Sequence, residues 1–165
     1  MAQQISRVYG LQFGLLCLSS FLFFASFNMI IPELPDYLSS LGGEEYKGLI
    51  ISLFTLTAGL SRPFSGKLAD KVGRIPVMIF GGAVCILAGV LYPVTGSVAA
   101  FLLLRFLHGF STGFTPTGTS AYVADVVPVE KRGEAMGLLG LSGSLGMAAG
   151  PALGGAIANQ FSVDT

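Results

Sequence analysis

From Leu11 to Ile31 the chain runs for 21 residues without a charged side chain, and it does so again from Ile75 to Thr95 and from Ala135 to Ala158. About 20 apolar residues in a helix, rising about 1.5 Å each, cross the hydrocarbon of a bilayer. Two further segments are nearly as apolar. Gly48 to Gly66 holds only Arg62, and Val98 to Ala124 holds Arg105 and His108. A helix satisfies its own backbone groups in lipid, and these runs are too long for barrel strands. The pattern predicts an all-α membrane protein with five spans, approximately 11–31, 48–66, 75–95, 98–124 and 135–158, in one domain over 1–165. Composition agrees. Charged residues make up 11% of the chain and hydrophobic ones 52%, whereas soluble domains carry about 25% charge. The first run is longer than a signal-peptide core, and no small-x-small cleavage site follows it, so it reads as a retained helix.

Lysine and arginine set the orientation. Arg7, Lys67, Lys71, Arg74, Lys131 and Arg132 fall on one side of the spans, and Lys47 falls on the other. The positive-inside rule then places the amino terminus and the 67–74 and 125–134 links in the cytoplasm of a bacterial-type inner membrane. Thr95-Gly96-Ser97 becomes a tight outer hairpin. The nine basic and nine acidic residues form no basic stripe with interleaved aromatics, so nucleic acid is not an expected partner. Cys17 and Cys85 lie inside apolar segments, without metal-ligand spacing. No nucleotide loop, metal cluster or hydrolase triad is visible. No cofactor is therefore expected, and neither an ATP-driven pump nor an enzyme is supported.

Three sequence features carry chemistry. The first is the charged, glycine-bounded stretch Gly66-Lys67-Leu68-Ala69-Asp70-Lys71-Val72-Gly73-Arg74, read as a turn. Its glycines permit a tight turn and close approach of helix ends. Asp70 can accept hydrogen bonds from Arg74 or from a helix amino terminus. The second is Arg105, deep in an apolar run, with His108 three residues on and so on the same helical face. A charge at that depth costs about 2.5–3.5 kcal/mol on insertion scales, so it must face the bundle interior or water. The third is Gly146-x-x-x-Gly150-Pro151-x-x-Gly154-Gly155, a smooth face for close helix packing, with a proline that removes one backbone donor. Pro63-Phe-Ser-Gly66 recurs as Pro151-Ala-Leu-Gly154, a faint sign of an inverted repeat of three helices.

Together and in this order, the three motifs resemble those of the major facilitator superfamily, over nearly the whole chain. Lys71 stands where arginine is common, and His108 where glutamine is more frequent. The resemblance implies a helical bundle covering about five helices of a six-helix amino-terminal half. It also implies secondary active transport of a small organic solute by alternating access. The third motif is associated with efflux coupled to proton entry. Gly66, Asp70, Lys71, Gly73 and Arg74 would form a conformational-switch loop. Arg105, His108 and Glu33 are the proton-coupling candidates, Glu33 on condition that it is buried. Asn28 is a substrate candidate. Gly146, Gly150, Pro151, Gly154 and Gly155 would meet the other half of the transporter. The family fold has twelve helices, so a carboxy-terminal half or a partner chain is expected to supply the second wall of the site. The alternative is an incomplete or non-transporting scaffold, or a half-transporter that needs a partner.

Overall fold

The computed structural model describes residues 10–161; Arg7, used in the orientation argument, lies outside them. Among the described residues there are helices and no strands. Five helices are long: α1 (Leu11–Met29), α3 (Lys47–Val72), α4 (Arg74–Leu91), α5 (Val98–Val126) and α6 (Arg132–Phe161). The short α2 (Leu34–Ser40) lies in the link between α1 and α3.

Among the described residues, four stretches are long and apolar enough to cross a membrane: Leu11–Ser40, Arg74–Val94, Val98–Val126 and Val129–Ile157. The expected second span is a helix but is not among them. At 26 residues α3 measures about 39 Å, which is ample length. Its apolar run, however, is diluted by Ser52, Thr55, Thr57, Ser61, Arg62 and Ser65, and charge enters from Lys67 onward.

The chain divides into two compact units. One runs from Glu33 to Tyr122; the other joins the residues up to Pro32 with those from Val123 on. In the 33–122 unit, α5 is the helix that both neighbours approach. Its buried side includes Phe101, Leu104, Arg105, His108, Ser111, Phe114 and Thr115. Ala69 of α3 and Val77 of α4 pack with Phe114 and Phe110. Glycines set the spacing. A Cβ on Gly109 would run into the backbone of Phe54 and Ala58, and one on Gly113 would lie 3.0 Å from Ala58 O and collide with Ser61 Oγ. On the other side, a Cβ on Gly118 would stand 2.8 Å from Met78 Cγ and 3.0 Å from Arg74 O.

The second unit is built on α1 against α6. Phe13, Leu16, Phe23 and Ala25 are buried on α1, and Ala135 and Leu139 on α6. Large apolar side chains cover the outside of both units. Leu11, Phe64, Ile86 and Val90 are each at least 60% exposed, as expected of helices whose solvent is lipid.

Candidate functional site

Arg105 is completely buried, and its guanidinium is held by three elements of one unit. Nε donates to the carbonyl of Ile50 in the first turn of α3 at 2.9 Å. Nη1 donates to Tyr92 Oη, just beyond the end of α4, at 3.2 Å. The same nitrogen lies 3.4 Å from His108 Nδ1, one turn along α5. The guanidinium carbon stands 4.7 Å from the centre of the Phe54 ring, a cation–π arrangement that is strongest where water is absent. Tyr92 Oη is in turn 3.2 Å from His108 Nδ1. An arginine can only donate, so Nδ1 is the acceptor and the imidazole proton sits on Nε2.

Local sequence explains the assembly. Gly96 lies in the short link that turns the chain from α4 into α5, and this link holds the carboxy end of α4 beside the amino end of α5. Tyr92 opens a short 3-10 turn with Pro93 behind it. Its ring packs 5.5 Å from Phe101 and 5.8 Å from His108. Sequence reasoning identified Arg105 and His108 but missed Tyr92. The available signal was the cost of burying a guanidinium, which demands oxygen acceptors nearby; Tyr92 is the tyrosine closing the preceding span.

Glu33 does not join this cluster. It ends the 3-10 turn Ile31–Glu33 and is exposed, so the burial that a proton carrier requires is not met. Asn28 donates from Nδ2 to the Phe24 carbonyl at 2.8 Å, one turn back on α1. Its Cβ faces Gly150.

The 66–74 stretch departs from the expected turn. α3 stays helical through Val72, and the only break is Gly73, with φ 99° and ψ 165°. That region is essentially restricted to glycine. Gly66 lies within the helix, and no other element comes within 4 Å of where its Cβ would be, so it brings no helix end close. Arg74 Nη1 bonds Asp70 Oδ1 across the break, with the aspartate side chain 70% exposed. Lys71 is exposed in the last turn of α3. Lys67, Asp70 and Lys71 thus fall on a helix that continues to Val72, and the single glycine at 73 redirects the chain.

The glycine motif of α6 is already in use. A Cβ on Gly150 would lie 2.6 Å from Ala25 O and 3.0 Å from Met29 N. One on Gly146 would lie 3.0 Å from Ala25 N and collide with Phe21 O; one on Gly154 would collide with Met29 O. The face of Gly146, Gly150 and Gly154 is thus seated on the backbone of α1. Gly155 projects from another side and has open space. Pro151 is inside α6 and exposed.

Apolar helices of spanning length around a buried arginine define a multi-pass membrane protein. The family model of the Major Facilitator Superfamily matches residues 16–165, and the chain belongs to that family. The multi-drug resistance efflux pump PmrA of Streptococcus pneumoniae is 40% identical over 152 residues, covering 88% of this chain and 38% of the relative. Multidrug resistance protein MdtG of Citrobacter koseri is 35% identical over 150 residues, 87% of this chain and 37% of the relative. Multidrug resistance protein 2 of Bacillus subtilis is 30% identical over 148 residues, 88% and 37% respectively. The chain therefore spans less than two fifths of the length of these relatives.

Proposed function

We propose that this chain forms the amino-terminal part of a secondary transporter that exports small organic solutes in exchange for protons, by alternating access, across a bacterial inner membrane. The observation that carries the reading is Arg105, a buried guanidinium tied to Tyr92 and His108 within apolar helices. A fixed charge is expensive at such a site and is a functional hypothesis by default. The efflux pumps among the relatives support export. In this reading, Arg105 and His108 sense the protonation state of the pathway. The Asp70–Gly73–Arg74 break, together with Lys71, acts as the cytoplasmic switch, and Asn28 contacts solute when α1 and α6 rearrange. The second wall of the site comes from a further helical half, and the amino terminus faces the cytoplasm.

The test uses everted membrane vesicles from cells making the whole natural polypeptide, with ethidium as the probe. An imposed proton gradient should drive ethidium accumulation, and dissipating the gradient should abolish it. Equal ethidium levels with and without the gradient would sink proton-coupled export.

A further inference from the structure

We propose that Tyr92 is a positioning residue for Arg105: its hydroxyl holds the guanidinium in the single orientation from which the arginine meets His108. This rests on the reading of Arg105 as the coupling residue.

Three observations carry it. Tyr92 Oη is within hydrogen-bond distance of both partners, accepting from Arg105 Nη1 at 3.2 Å and standing 3.2 Å from His108 Nδ1. A hydroxyl is suited to that place because it accepts and donates at once. It can take the arginine proton and still offer its own to the imidazole.

The Ile50 carbonyl accepts from Nε, and the Phe54 ring lies against the guanidinium carbon. The guanidinium is a rigid plane, so these contacts and the bond from Nη1 to Tyr92 Oη act together on its orientation, and Tyr92 is the partner that also stands beside His108 Nδ1.

Tyr92 is itself held from outside the cluster. Its ring packs on Phe101, and Phe101 packs on Tyr37 of α2 at 5.9 Å. Tyr37 Oη donates to the Thr95 carbonyl at 2.9 Å, in the link directly after the Tyr92 turn. The phenol is 6% exposed and braced at ring and backbone, so its hydroxyl is a fixed reference point rather than a mobile contact.

The experiment compares two modes of ethidium movement in vesicles holding the whole polypeptide: uphill accumulation driven by a proton gradient, and downhill flux without one. Tyr92→Phe keeps the ring and removes the oxygen. A hydrogen bond to a charged group is worth enough to lower uphill transport about tenfold or more. Downhill flux should stay within about twofold, because the ring packing is intact. Tyr92→Gln restores an oxygen and should recover a large part of the uphill rate. Phe114→Leu, which disturbs packing with Ala69 and Val77 away from the polar cluster, should leave the ratio of uphill to downhill flux unchanged. Combining Tyr92→Phe with Arg105→Lys should be no worse than Arg105→Lys alone, as expected for residues acting as one unit.

Normal uphill transport in Tyr92→Phe, alongside loss in Arg105→Lys, would overturn the positioning role while leaving the coupling role of Arg105 standing. Normal uphill transport in Arg105→Lys would remove the coupling reading itself. If Tyr92→Phe depresses both modes equally, as Phe114→Leu does, Tyr92 is packing alone and the proposal fails.

Discussion

The two units hold their helices together by different means. Between α1 and α6 the contact is backbone against backbone, with Gly146, Gly150 and Gly154 lying on the peptide groups of Phe21, Ala25 and Met29. The polar side chains of α1 bond locally: Ser26 donates to Phe23 O at 3.0 Å and Asn28 to Phe24 O at 2.8 Å. In the 33–122 unit, glycines also bring helices close, but polar groups then cross the gap. Ser65 Oγ donates to Gly113 O at 2.7 Å, Thr115 Oγ1 to Met78 O at 3.3 Å, and Arg105 Nε to Ile50 O at 2.9 Å. In lipid there is no hydrophobic drive between helices, so close contact and interhelical hydrogen bonds must supply it. The first seam uses close backbone contact. The second adds directional bonds, and these fix the orientation of a charged group.

Substitutions can break this contrast. The largest effect should come from Gly150→Leu, whose side chain would run into the backbone of Ala25 and Met29 and the Cβ of Asn28. Overpacking of this kind costs about 3 kcal/mol. Thermal unfolding in detergent should show a large fall in Tm, and an unchanged Tm would mean that α6 is not seated on α1 as described.

Gly73→Ala comes next, at about 2 kcal/mol, because φ 99° with ψ 165° is strained for any side chain. The same unfolding measurement reads it. This cost is conformational, since the nearest atom to a new Cβ would be Pro76 Cδ at 3.8 Å.

Gly113→Ala should cost about 1–2 kcal/mol through its clash with Ser61. Removing the hydroxyl by Ser61→Ala should relieve part of that. A double-mutant cycle with strictly additive effects would argue against the contact.

Arg105→Met should change stability by less than about 1 kcal/mol, because a buried charge replaced by an apolar chain of similar volume is often neutral or better. Proton-driven ethidium accumulation should nevertheless disappear. A large fall in Tm with proton-driven accumulation retained would invert the proposed division between packing and function. The smallest effect belongs to Gly155→Leu. It sits one residue from the seam but faces open space, and it should shift stability by less than about 0.5 kcal/mol.

Much of this architecture was legible in the chain. Charge-free runs announce helices that lipid can surround, and Arg105 within such a run announces a buried site. Gly73 announces a break because glycine is free to adopt positive φ. The glycine spacing of α6 announces a close helix partner but not which one. In the structure that partner is α1. α3 also runs on past the expected 48–66 span, to Val72. Charge in a segment signals departure from lipid, but a helix carrying charge can continue past the hydrocarbon.

The sequence by itself determined the solvent, the class of fold and the residues whose burial demands explanation, because these follow from residue chemistry and periodicity along one chain. Only the tertiary structure decided that Gly150 meets Ala25, that Glu33 is exposed and that Tyr92 completes the Arg105 cluster. Those facts depend on which helices lie side by side. Tyr92 and Arg105 stand 13 positions apart and are joined by a turn. Periodicity tells which face of a helix is buried but not which atoms wait across the gap.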